Sequence, residues 1–181
     1  IRDFCLSRGL GDVYKRQEFK YAQSVDLLKV VQTYNSTIES RMVTADTEIV
    51  SVDDKKKWFD SHSAEKRPLW IVIADGDYAG WMSFSSFYGR PAYDGTVELS
   101  IYLEEKYRQF GIGKKCLSKA IEVSPSLKIH TLLGFIFGHN TISLNLFYQF
   151  GFEKWAHLPE VANLDGIYRD LIILGKKVKF N

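Results

Sequence analysis

The stretch Arg108-Gln109-Phe110-Gly111-Ile112-Gly113-Lys114-Lys115-Cys116 concentrates the groups best suited to hold an anion. It follows an alternating apolar run, Val97-Glu98-Leu99-Ser100-Ile101-Tyr102-Leu103, and precedes Cys116, Leu117, Ala120 and Ile121 at helical spacing. A strand, a short glycine loop and a helix start form a phosphate-holding arrangement. The first amides of a helix lack intrahelical acceptors and carry partial positive charge. Glycine lets an anion approach that backbone closely. The loop therefore reads as the seat of a cofactor pyrophosphate. Two familiar patterns fail. A Walker-type loop needs Gly, four residues, then Gly-Lys-Ser/Thr, and here Arg108 and Lys115 occupy the first glycine and the hydroxyl positions. A dinucleotide fingerprint needs a further glycine three residues after Gly113, where Cys116 stands.

The elements that must position this loop can be read in order. Residues 1–17 lack an initiator Met and any sustained period; they read as a non-native or disordered leader, which leaves Cys5 without function. Residues 18–181 read as a single domain. A short strand is expected at 19–22, then a helix with Ser24 as N-cap and Leu27, Leu28, Val31 and Tyr34 on one face, ending near Asn35. The polar segment 36–47 reads as irregular. Ser51-Val52-Asp53-Asp54 resembles a capping box for a second helix, with Trp58 and Phe59 apolar and Lys55, Lys56 and Lys57 on a solvated surface. Strands are expected at Leu69–Ala74 and 78–87, joined by the Asp75-Gly76-Asp77 turn. A loop at 89–95 leads to a strand at Thr96–Leu103, then the glycine loop and a helix to about Val123. The continuous apolar run 129–137 suits a strand buried on both faces. A helix at Thr141–Gln149 and strands at 153–157 and 167–178 complete the chain. The alternation implies a mixed sheet flanked by helices.

Composition excludes several classes. A chain of 181 residues with 45% hydrophobic and 25% charged content suits one soluble globular domain. A net charge of +2 argues against nucleic acid or an anionic membrane as partner. No apolar stretch approaches the roughly 20 residues of a spanning helix. Two cysteines make no disulfide framework, which with the lack of a secretory pattern points to the cytoplasm. His130, His139 and His157 lack metal-ligand spacing, so no metal is expected. Trp81 and Trp155 read as core.

Several motifs together resemble the GNAT N-acetyltransferase superfamily. Arg108, Gly111 and Gly113 fit its Arg/Gln-x-x-Gly-x-Gly/Ala loop. Asn140, Ser143, Leu146, Phe147, Gly151 and Phe152 fit the segment that follows its buried strand. Arg90 and Tyr93-Asp94-Gly95-Thr96-Val97-Glu98 are similar to the phosphinothricin acetyltransferase branch, although Tyr88 replaces a basic residue there. The resemblance implies an α/β (α+β) fold: a central mixed, mostly antiparallel sheet with a splayed parallel strand pair, flanked by helices. It implies acetyl transfer from acetyl-CoA, the co-substrate, to the amine of a small acceptor. Pantetheine is then expected along the backbone of Ile101, Tyr102 and Leu103, and pyrophosphate at the N–H groups of Gln109, Phe110, Gly111, Ile112, Gly113 and Lys114, with Arg108 also among the cofactor-binding residues. Asn140, Ser143 and Phe147 also fall to the cofactor, although Asn140 suits an N-cap as well.

Glu98 matches the family's catalytic position and is expected to be the general base, with an amide such as that of Ile101 or Leu103 as oxyanion donor. The family's usual tyrosine acid is Phe147 here, and the neighbouring Tyr148 is turned by about 100° around a helix. Tyr34, Asn35, Arg90 and Tyr93 are the candidate acceptor-binding residues, with Arg90 suited to a carboxylate or phosphinate. The leading expectation is an amino-acid-like acceptor of the phosphinothricin or methionine sulfoximine type. Polyamines, aminoglycosides, protein amines and a non-catalytic acyl-CoA-binding domain remain the alternatives. The resemblance also admits a homodimer.

Overall fold

The alternation of apolar and polar residues in the central strands is resolved by helices on both faces of one sheet. The structure, a computed structural model, describes residues 16–180. The leader up to residue 15, with Cys5, lies outside the described residues. Gln17, assigned to that leader by sequence, belongs instead to strand β1 (Gln17–Tyr21), where it pairs with Ala74. There follow α1 (Leu27–Asn35), α2 (Val52–Asp60), β2 (Leu69–Ala74), β3 (Asp77–Ser86), β4 (Thr96–Leu103), α3 (Ile112–Val123), β5 (Thr131–Phe137), α4 (Thr141–Gln149), β6 (Glu153–Leu164) and β7 (Ile167–Lys177). The seven strands form a single sheet in the order β1-β2-β3-β4-β5-β7-β6. All neighbours are antiparallel except β4 and β5.

That parallel pair holds for only three residues, from Thr96–Thr131 to Glu98–Leu133. Beyond it β4 stays with β3 as far as Leu103–Gly80, while β5 runs on with β7 to Phe137–Leu171. The two central strands therefore splay. A β-bulge at Val72/Ile73 shifts the register between β2 and β3 just before Gly80, and a bulge raises local twist. Gly80 is required there: at φ +151°, a Cβ would lie 2.1 Å from the Tyr102 carbonyl oxygen.

Side-chain alternation along β4 divides the core. Val97 and Leu99 face Ile112, Cys116, Leu117 and Ala120 of α3 and Phe147 of α4. Tyr102 faces the opposite layer, where Leu27, Val30, Val31 and Tyr34 of α1 and Phe59 of α2 cover Leu69, Ile71 and Trp81. In the first layer Phe147 is 6% exposed, packs on Phe152 and lies against Gly134, whose added Cβ would sit 2.6 Å from its ring.

Several local expectations change. A short 3-10 turn at Ser24–Asp26 precedes α1, and Asp26 accepts from the Gln23 amide, so the helix entry begins one residue before Ser24. Leu28 is 55% exposed, and Val30 takes the inner face instead. The Ser51 box forms as read, with reciprocal bonds between Ser51 and Asp54. β6 runs to Leu164 rather than 157, and Trp155, read as core, is 44% exposed.

Gly134→Ala should lower stability by about 1–3 kcal/mol through overpacking against Phe147. Urea unfolding checks this, and Gly134→Ala with Phe147→Leu should recover part of the loss if the clash is the cause.

Candidate active site

Strand β4 presents its two faces and its backbone to three different tasks. Glu98, Ser100 and Tyr102 share one face, because side chains alternate along a strand. They line a cavity of about 290 Å³ with Val30, Val31 and Tyr34 of α1, Lys55 and Trp58 of α2, and Trp81 and Ser85 of β3. Burial pushes the Glu98 carboxyl above its ordinary range. Its strand neighbours explain that: Glu98 sits between Ser85 of β3 and Leu133 of β5, at the last paired position before the splay.

The cavity wall is aromatic. Trp81 stacks on Tyr102 with ring centroids 4.4 Å apart, and Tyr34 lies 5.2 Å from Tyr102. Trp81 donates through Nε1 to the Val30 carbonyl at 3.1 Å, so it serves as core and as cavity wall together. The Tyr34 hydroxyl meets Thr44 and Asp46. Burial, followed by Asp46, pushes its pKa up to about 12, so it stays protonated.

The β4 backbone alternates in the same way. The Phe87 amide donates to Thr96 and the Glu104 amide donates to Ala79, both across the β3–β4 ladder. Antiparallel pairs alternate between bonded and non-bonded, so Tyr102 directs its backbone toward β3. Ile101 and Leu103 direct theirs away, into the opening left by β5. Tyr102 thus contributes its side chain to the cavity, not its backbone to the opening. The Leu103 carbonyl is taken by Arg108, whose Nε donates to it at 2.9 Å. Arg108 is therefore a brace between β4 and the glycine loop.

That loop ends at the start of α3. Gly111 is the N-cap at φ +85°, a left-handed conformation that favours glycine. Gln109 also has positive φ, 65°. The amides of Lys114 and Lys115 donate to the Gly111 carbonyl, so those of Ile112 and Gly113 precede the first bonded amide of the helix. A Cβ on Gly113 would stand 3.0 Å from Leu146 Cδ2, the end of a flexible side chain. Cys116 is fully buried and its thiol is pushed up to about 12. It is a packing residue and no nucleophile.

Residues 32–152 match the Acetyltransferase (GNAT) family. The chain belongs to this family. It is 48% identical over 160 residues to the provisionally named phosphinothricin acetyltransferase YwnH of Bacillus subtilis, covering 88% of this chain and 98% of that one. It is 25% identical over 150 residues to an L-methionine sulfoximine/L-methionine sulfone acetyltransferase of Pseudomonas aeruginosa, covering 82% and 87% respectively. A crystal structure of a provisionally named phosphinothricin N-acetyltransferase superposes with a TM-score of 0.87 at 46% identity, covering 91% of this chain and 99% of the other.

Within this GNAT domain some residues named from sequence do other work. The Asn35 side chain brackets Val50, donating to its carbonyl at 2.9 Å and accepting from its amide at 3.0 Å. It fixes the end of the 36–50 segment and does not line the cavity. Arg90 and Tyr93 stand on the exposed loop after β3, outside the cavity lining, with Tyr93 packed on Phe87 and Tyr88. Asp94, beside them, is held by Arg67 and Lys66. Asn140 caps α4 by accepting from the Ser143 amide at 3.1 Å and donates through Nδ2 to the Met42 carbonyl at 2.9 Å. The amide nitrogen carries a second hydrogen beyond that bond. Phe147 is a core side chain between α4 and β5, and Tyr148 is exposed on the far side of α4, beside Leu144, Lys154 and His157.

Lys55, assigned to solvent, is half-buried and lines the cavity. Its signal was present: Trp58 lies three residues on, which places both on one helical face. Likewise Ser100 and Tyr102 follow Glu98 at even spacing. Among the described residues no cluster of three or more His, Cys, Asp or Glu is suited to a metal, and no helix is long and apolar enough to cross a membrane.

Gly113→Val should weaken acetyl-CoA binding roughly tenfold, the loss of one to two hydrogen bonds at the helix start. Leu146 can move aside, so thermal unfolding should change little while calorimetric titration shows the weaker affinity.

Proposed function

We propose that this protein transfers the acetyl group of acetyl-CoA to the primary amine of a small amino-acid-like acceptor, by direct transfer. The observation that carries the reading is the position of Glu98. It is a desolvated carboxyl in a cavity on one face of β4. The same strand turns the Ile101 and Leu103 amides into the opening beside β5. The names of the Bacillus and Pseudomonas relatives support an acceptor of the phosphinothricin or methionine sulfoximine type.

Acetyl-CoA supplies an activated thioester carbonyl. The residues that fit it are the outward amides of β4 for the pantetheine arm and the Gly111–Gly113 helix start for the pyrophosphate, with Asn140 and Ser143 at the start of α4. Phe147 adds only the packed wall behind. An acceptor amine reaches the cavity as ammonium, since its free pKa is near ~10. Glu98 takes one proton from it, directly or through one water, and exposes the nitrogen lone pair. The new C–N bond forms as negative charge builds on the carbonyl oxygen, where an outward amide of Ile101 or Leu103 stabilises it. Glu98 returns its proton to solvent; the carbonyl re-forms, the C–S bond breaks and the thiolate leaves, taking up the extra proton that the new amide nitrogen sheds. Its conjugate thiol has a pKa near ~8.5, so departure does not require the tyrosine that Phe147 replaces. The setting we assign is cytoplasmic, with no nucleic acid involved.

Glu98→Gln should lower kcat by roughly 10²–10⁴ with the acetyl-CoA affinity retained. The raised pKa fixes the sign of the pH dependence. Glu98 acts ionised, so activity rises with pH through a limb lying above the ordinary carboxylate range, and the variant should lose that limb. Thiol release followed against pH on an amino-acid panel measures both. A loss under about threefold at the optimum would remove Glu98 as the base.

A further inference from the structure

Lys55 is placed unusually for a helix lysine. Its side chain is only 24% exposed, and its Nζ lies 4.0 Å from the Tyr34 ring centroid and 5.8 Å from that of Trp58. The nearest carboxylate oxygen, on Asp46, is 3.8 Å away, beyond hydrogen-bond reach. Asp46 is itself occupied by the Tyr34 hydroxyl. Aromatic faces attract the ammonium through their quadrupoles, yet they take none of its directional bonds. An ammonium carries three donors, so Lys55 reaches the cavity with donors to spare.

The same cavity holds Glu98. It therefore presents a proton-accepting carboxylate and a cation within a lining that also includes Val30, Val31, Trp58, Trp81 and Tyr102. An amino acid has the complementary polarity, with an amine for Glu98 and a carboxylate for the cation. The volume of about 290 Å³ is at the small end of ligand pockets, which suits a free amino acid. A polyamine would bring a second ammonium toward Lys55. Arg90, the cation that sequence pointed to, lies outside this lining.

Resting on the acetyl-transfer reading above, we propose that Lys55 is the specificity-determining residue that binds the acceptor's carboxylate, or an equivalent anion, and so selects amino acids over simple amines. The test uses the full chain and steady-state thiol release. It compares wild type, Lys55→Met and Lys55→Arg on the best amino acid of a panel that includes methionine sulfone, and on the same compound without its carboxylate. Lys55→Met keeps the side-chain stem against Tyr34 and Trp58 and removes only the charge.

In Lys55→Met, KM for the amino acid should rise about tenfold or more, as expected for losing a charge-assisted hydrogen bond. KM for the decarboxylated amine should change less than about twofold, because it never made that bond. The KM for acetyl-CoA should hold, and Lys55→Arg should restore most of the amino-acid KM. Equal effects on the two acceptors, an unchanged amino-acid KM, or discrimination lost in Arg90→Met instead would overturn the proposal while leaving the acetyltransferase intact. A wild-type protein that releases no thiol with any member of the panel would overturn the reading on which it rests.

Discussion

The site depends on β4 parting from β5 immediately after Glu98 while remaining paired to β3. A strand within a sheet normally spends its outward amides and carbonyls on its neighbour. Here the parallel ladder stops at Glu98–Leu133, and the β3 ladder continues for five more residues, to Leu103. The backbone of Ile101 and Leu103 is therefore ordered by one neighbour and left open by the other. Ordering matters for the oxyanion role proposed above, because a pre-set amide need not reorganise during the reaction. Gly80 makes this possible on the β3 side, since any side chain there would collide with the Tyr102 carbonyl. Arg108 then ties the end of β4 to the glycine loop.

The cavity on the other face sets two effects against each other. Aromatic and aliphatic walls remove water from Glu98, which raises its pKa and suits it to hold a proton. Lys55 on the same cavity acts oppositely on any carboxylate, but its charge is held against the Tyr34 ring. For Glu98 desolvation is the dominant cause. The outcome is a desolvated carboxyl with a raised affinity for a proton.

Side chains that look like ligands to a small molecule largely hold the chain in place. Asn35 brackets Val50, Asn140 caps α4 and holds Met42, and Arg67, 6% exposed, ties Ser86 and Asp94. All three fasten irregular segments, 36–50 and 87–95, that border the cavity or the strands that line it. Such segments have no ladder of their own, and buried backbone groups need partners. Polar side chains at their edges supply them. The same residue types also bind substrates, so composition cannot separate the two uses.

The sequence by itself determined the family, the order of elements, the glycine loop at a helix start and the strand carrying Glu98. These are local: periodicity, capping and turn chemistry act over a few residues, and Asp75-Gly76, Ser51–Asp54 and Gly111 adopt the conformations their types favour. The face of each β4 side chain was also implied by alternation. Only the tertiary structure decided what met it there. Lys55 becomes a cavity residue because α2 packs beside α1 over Trp81, a contact between residues far apart in sequence. Arg90 and Tyr93 fall outside that cavity because Arg67 anchors their loop through Asp94. Burial and the choice of neighbour are properties of the packed layers, and no spacing within one segment encodes them.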